Sequence, residues 1–124
     1  MGGGGIPGMG GAAAAPERPK VGQVCKITSL PQLQSIIKDY PGVIIDFWSS
    51  RCPPCMRFKP IYEAQAGANK NEKIVFCTVE TDQNRDSAAA FSVSSIPQFN
   101  FVLNGTEHSK FVGADEGKFS TAVG

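Results

Sequence analysis

The stretch Gly42-Val-Ile-Ile-Asp-Phe-Trp-Ser-Ser-Arg-Cys-Pro-Pro-Cys55 decides the fold. Its opening, Gly42 to Trp48, is apolar almost without a break, the pattern of a strand covered on both faces rather than one half open to water. A helix is expected next. Pro53 and Pro54 suit a helix's first turn, where a missing N–H has no intrahelical partner to lose, and Cys55, Phe58, Ile61, Tyr62 and Ala66 carry the helix on. Pro60 inside it removes one backbone donor and predicts a bend. Cys52 then lies just off the helix N-terminus, where unpaired N–H groups and the positive end of the dipole favour a thiolate. Arg51 adds positive charge beside it, while the two prolines stiffen the turn but withhold two donors. The pair reads as a redox dithiol: Cys52 attacks, Cys55 resolves the mixed disulfide from one turn further in, and the cycle needs no cofactor.

Working outward, order is expected to begin near Val21, where Val24, Ile27 and their neighbours make a short strand ending at Ser29, the N-cap of a helix carrying Leu33, Ile36 and Ile37. Tyr40-Pro41-Gly42 stops that helix, because a residue before proline is pushed out of the α region. Lys73 to Val79 reads as a strand and Asp86 to Phe91 as a short helix. Gln98 to Leu103 and Lys110 to Val112 read as two strands joined through Asn104-Gly105, and Gly117 to Val123 begins a last helix. The order βαβαβαββα implies an α/β fold with parallel pairing across the helical crossovers and an antiparallel hairpin at one end. Residues 1–20, rich in Gly, Ala and Pro, read as a flexible tail, and residues 21–124 as the domain.

Twelve Lys plus Arg against eleven Asp plus Glu leave a net charge of +1, too weak a field to gather nucleic acid or an anionic membrane surface. The apolar runs are far too short to cross a bilayer. The N-terminal residues show neither a charged region leading into an apolar one nor an Arg-rich amphipathic pattern, so a cytoplasmic, reducing setting is the expectation.

Of the four cysteines, Cys25 and Cys77 fall singly within apolar strands, where a thiol behaves as a small hydrophobe. A four-thiolate zinc site would need these two as a second close pair, which they are not, so no metal is expected. The single histidine, His108, falls in the late hairpin and reads as a surface residue.

Asp46-Phe-Trp-Ser-Ser-Arg-Cys-Pro-Pro-Cys55, Pro60, Asp82-Gln-Asn84, Ile96-Pro97, Asn104-Gly105 and Val112-Gly-Ala114, in this order and spacing, closely resemble the thioredoxin family. The resemblance implies the thioredoxin fold, a central mixed five-stranded sheet flanked by four helices. It implies that Ile96-Pro97 is a cis peptide facing the cysteines and offering backbone hydrogen bonds to an extended substrate, with Trp48 packed beside the redox turn. It also implies that Asp46 is the buried carboxylate behind the pair, assisting proton removal from Cys55. Implied partners are disulfide-containing proteins and, upstream, a thioredoxin reductase-like flavoprotein or a small dithiol; a monomer is expected.

This chain departs from the family pattern in carrying Arg51 where a tryptophan is frequent and Pro53-Pro54 where Gly-Pro is. Met56 replaces a common basic residue, and Thr78 stands where a lysine usually neighbours the buried carboxylate, which leaves Asp46 harder to ionise. Reduction of protein disulfides is the leading expectation. The alternatives are a binding module of a larger protein, docking partners through the Pro97 groove and Arg51, and a disulfide oxidant or isomerase. Arg51→Ala is expected to raise the Cys52 thiol pKa; a thiolate titration showing no change, or a fall, removes Arg51 from the activation of Cys52.

Overall fold

The computed structural model describes residues 18–117 and 119. Most of the expected tail, residues 1–17, lies outside them. Arg18 is held against the first helix, donating to Asp39 at 2.8 Å and to Ser35 at 3.4 Å.

The elements run β1 (Val24–Ile27), α1 (Leu30–Asp39), β2 (Gly42–Trp48), α2 (Pro53–Ala68), β3 (Ile74–Glu80), α3 (Arg85–Ala90), β4 (Gln98–Leu103) and β5 (Thr106–Val112). They build one five-stranded mixed sheet in the order β1-β3-β2-β4-β5. β3 pairs in parallel with both β1 and β2. β4 runs antiparallel to β2 and to β5. Three helices are described where four are expected. Of the expected last helix, Gly117 to Val123, only Gly117 and Phe119 fall among the described residues; both are helical, as is Glu116, and the remainder lies outside them. The last strand is longer than its expected span of Lys110 to Val112 and begins at Thr106. Its first residues are polar and exposed, so no buried face marks them as strand.

Local chemistry accounts for the element ends. Ser29 caps α1 by accepting from Gln32 N at 3.2 Å, with Pro31 in the first turn. Asn104 and Gly105, both at positive φ, make the turn between β4 and β5.

β2 is buried along nearly its whole length. Val43, Ile45 and Phe47 pack with Leu33 and Ile36 of α1 in one core, and Ile44 packs with Phe58, Tyr62 and Ala66 of α2 in the other. Side chains alternate along a strand, so Asp46 and Trp48 share the α2 face with Ile44. This two-sided core holds the middle strand in register and so fixes where Trp48 ends and the Cys52 loop begins.

The core under α2 is largely aromatic. Fully buried Phe99 lies 4.9 Å from the Phe58 ring, 5.1 Å from Phe111 and 4.9 Å from Phe119. Tyr62 is also buried there, its hydroxyl donating to Cys77 O at 2.7 Å with Ile44 O at 3.0 Å as a second acceptor. Truncating Phe99 removes the ring that these neighbours share. Phe99→Ala is expected to cost roughly 3–5 kcal/mol in urea unfolding; a loss below about 1 kcal/mol would mean that the aromatic cluster closes over the gap.

Candidate active site

Parallel strands β1, β2 and β3 all end on one side of the sheet, and the site forms beyond those carboxyl ends. β2 delivers the chain at Trp48, and α2 starts only a few residues later. Cys52 is the N-cap of α2, with Pro53 and Pro54 as its first helical residues. Its sulfur accepts the Cys55 N–H at 3.2 Å, the position that a serine or aspartate oxygen occupies in an ordinary capped helix. Cys52 and Cys55 are joined as a disulfide, with their Cα atoms 5.2 Å apart. Cys52 is partly exposed, whereas Cys55 is buried. Solvent therefore reaches the first cysteine far more than the second.

The loop carrying Cys52 is tied to the end of β3. Thr81 N donates to Trp48 O at 2.8 Å. The buried Ser49 hydroxyl donates to Asp82 at 2.6 Å and accepts the Arg51 N–H at 3.1 Å. Ser50 donates to Glu80 from its hydroxyl at 3.2 Å and from its amide at 3.4 Å. Cys52 N closes a turn onto Ser49 O at 3.1 Å. Across from this loop the Ile96–Pro97 bond is cis, and Ile96 O lies 3.9 Å from the Cys52 sulfur.

Behind the pair is a cavity of about 500 Å³ whose walls include Asp46, Cys55, Thr78, Lys59, Tyr62 and Glu80. Asp46 is buried, and its Oδ1 has no hydrogen-bond partner. Thr78 is its register partner on β3, so no cation stands opposite the carboxylate on that strand. Burial alone pushes the Asp46 carboxyl from 3.8 up to about 7. A carboxyl with that value exchanges its proton near neutrality beside the buried Cys55. Lys59 Nζ, on the same cavity wall, sits 5.1 Å from the centroid of the Trp48 ring.

Most residues singled out in the sequence thus meet here. Cys52, Cys55, Pro53 and Pro54 form the turn, Asp46 and Trp48 line the cavity behind it, Ile96 and Pro97 face it, and Arg51 is exposed at its edge. His108 is exposed in β5, in the hairpin whose tip Asn104 bonds to Pro41 O at the opposite end of β2. Cys25 and Cys77 lie in the core as register partners on β1 and β3, outside any disulfide. Among the described residues no group of His, Cys, Asp and Glu side chains could hold a metal ion, and no helix is long and apolar enough to cross a membrane. Sequence reading missed Ser49, Ser50, Glu80 and Lys59. The signal available for the tether was the pairing of β2 with β3, which sets Trp48 opposite Glu80 and brings two serines against two carboxylates.

A strand-loop-helix dithiol with a partly exposed capping cysteine, a buried second cysteine and a carboxyl behind them defines a thiol–disulfide oxidoreductase. The thioredoxin family model matches residues 24–123. The thioredoxin of Mycoplasma genitalium is 36% identical over 90 residues, covering 73% of this chain and 86% of that protein. The thioredoxin of Malassezia sympodialis is 30% identical over 97 residues, 78% of this chain and 92% of its own; its solved structure superposes with a TM-score of 0.76 over 82% of this chain and 90% of that one, at 30% identity. Plasmodium falciparum thioredoxin superposes at 0.74, covering 79% of this chain and 94% of that one, at 28% identity. The chain belongs to the thioredoxin family.

The buried carboxyl has a measurable effect on stability. The unfolded chain releases this proton near 3.8 while the fold holds it up to about 7, so the native state binds the extra proton between those values. The stability contribution is full below the lower value and is lost as pH rises through the upper one. Asp46→Asn cannot titrate, so its stability relative to wild type should improve by roughly 3–5 kcal/mol between pH 4 and pH 8. Parallel urea curves at the two pH values would contradict an Asp46 pKa near 7.

Proposed function

We propose that this protein reduces disulfides in other proteins. The observation that carries the proposal is the pairing of a solvent-reached Cys52 sulfur at the α2 N-cap with a buried Cys55 sulfur already able to bridge to it. In the reduced state the Cys52 thiolate attacks a substrate disulfide, forming a mixed disulfide and releasing one substrate thiolate. Cys55 loses its proton to Asp46 and attacks the Cys52 sulfur, releasing the second substrate thiolate and closing the internal disulfide. Two electrons pass to the substrate, and each departing thiolate takes up a proton.

The neighbouring residues have supporting roles. The Ile96–Pro97 peptide lies where an extended substrate segment can hydrogen-bond beside the Cys52 sulfur. Trp48 flanks the turn, Arg51 favours the Cys52 thiolate, and Pro53 and Pro54 stiffen the path between the sulfurs. A flavoprotein reductase or a small dithiol returns the pair to the reduced state in a cytoplasmic setting. No bound cofactor takes part in this cycle.

Insulin-disulfide reduction with dithiothreitol as the electron source tests the reading. Wild type is expected to turn over, and Cys52→Ser to fall to the rate of dithiothreitol alone. Cys55→Ser should accumulate a mixed disulfide at Cys52, visible by intact-mass analysis. A Cys52→Ser protein that keeps wild-type activity would overturn the proposal.

A further inference from the structure

We infer that Arg51 selects disulfides whose cysteine is flanked by an acidic residue. The inference rests on the disulfide-exchange reading and names its substrate class.

Arg51 directly precedes the attacking cysteine and is exposed. Among the described residues no ion pair joins the Arg51 guanidinium to a carboxylate. The two carboxylates tied to this loop bond its serines. Asp82 accepts the Ser49 hydroxyl at 2.6 Å, and Glu80 accepts the Ser50 hydroxyl at 3.2 Å. The Arg51 backbone is fixed at the same time, its N–H donating to Ser49 Oγ at 3.1 Å. Lys59, a second cation of the site, is placed over Trp48. The loop thus anchors the Arg51 main chain, bonds its serines to Asp82 and Glu80, and leaves the exposed side chain directly before the nucleophile without an internal carboxylate partner.

A substrate segment that brings its sulfur to Cys52 must cover the neighbouring residue. Covering an arginine without giving it an acceptor strips water from five N–H donors for no return, whereas a carboxylate on the segment meets the planar fork in two parallel hydrogen bonds. A lysine or arginine at that place meets repulsion instead. Acidic flanks therefore speed formation of the mixed disulfide between Cys52 and the substrate, and basic flanks slow it. The electron count is unchanged: the substrate S–S bond breaks, the Cys52–substrate bond forms, and one substrate thiolate leaves.

The test uses three peptide disulfides of the same sequence with Glu, Gln or Lys on both sides of the cysteine. Pre-reduced full-length protein reduces each in a single turnover at low ionic strength, so no upstream reductase enters. Each rate is divided by the rate of dithiothreitol with the same peptide, which removes the intrinsic reactivity of that disulfide. The normalised Glu rate is expected to exceed the Lys rate by about tenfold and to shrink toward parity in 1 M salt. Arg51→Ala slows all three by weakening the thiolate, but it should bring the Glu/Lys ratio close to one; Arg51→Lys should restore part of it. Retained reduction of the Gln peptide shows that the variant is folded. Equal normalised rates in wild type, or an acid preference that survives in Arg51→Ala, would overturn the inference while leaving disulfide reduction intact. Failure of wild type to reduce any of the three while dithiothreitol reduces all of them would overturn the parent reading as well.

Discussion

The interaction on which the site depends is the hydrogen bond from Cys55 N to the Cys52 sulfur. A helix N-terminus leaves its first amides unpaired, and they must find an acceptor. Here that acceptor is a sulfur rather than a side-chain oxygen, so the need to cap α2 and the need for an activated nucleophile are met by one atom. The same geometry places Cys55 one turn behind, with the Cα atoms 5.2 Å apart, within the span a disulfide bridges. The second sulfur then points into the protein because it follows the buried face of α2 with Phe58 and Tyr62.

That arrangement requires α2 to be held rigidly against β2, and the two-sided core of β2 does this. The strand carries Ile44 and Asp46 on the α2 face and Ile45 and Phe47 on the other. One of these buried positions is a carboxyl with an unpartnered oxygen, an arrangement that lowers stability at neutral pH. Packing alone would favour an apolar residue there, with Phe99 as its register partner on β4. The proposed function accounts for the choice, since Asp46 and Cys55 line one cavity and a proton acceptor is useful only where it adjoins the group it serves.

The parts of this structure that could be read from the sequence are those where local and tertiary signals agree. β2 stood out because both of its faces are buried, α1 because Ser29 and Pro31 mark its start, and the turn between them because Tyr40 precedes a proline. β4 was legible as a strand, but not in its burial. Gln98 and Asn100 look like a solvent-facing set, whereas both are buried and linked, Gln98 Nε2 donating to Asn100 Oδ1 at 2.9 Å. Polar residues can be placed inside only when their partners are known, and those partners come from tertiary structure. The same reason hid the Ser49–Asp82 contact, which joins residues far apart in the chain. The start of β5 was hidden because an exposed edge strand has no apolar alternation to declare it.

Two departures from the common family pattern act on opposite sides of the sulfurs. Thr78 faces Asp46 across β2 and β3, so the carboxyl behind the pair is left without a cation on that strand and favours its neutral form. Arg51, in front of the pair, places a permanent charge at the mouth of the site. In the proposed cycle the Cys52 side has the helix terminus and an exposed cation, while Cys55 is backed by a carboxyl whose affinity burial sets near neutrality. The two steps of exchange are thus governed by separate surroundings. On the proposed mechanism a change at Arg51 acts on the first attack and the inferred choice of partner, a change at Asp46 acts on the release step, and the disulfide between the two cysteines is where they meet.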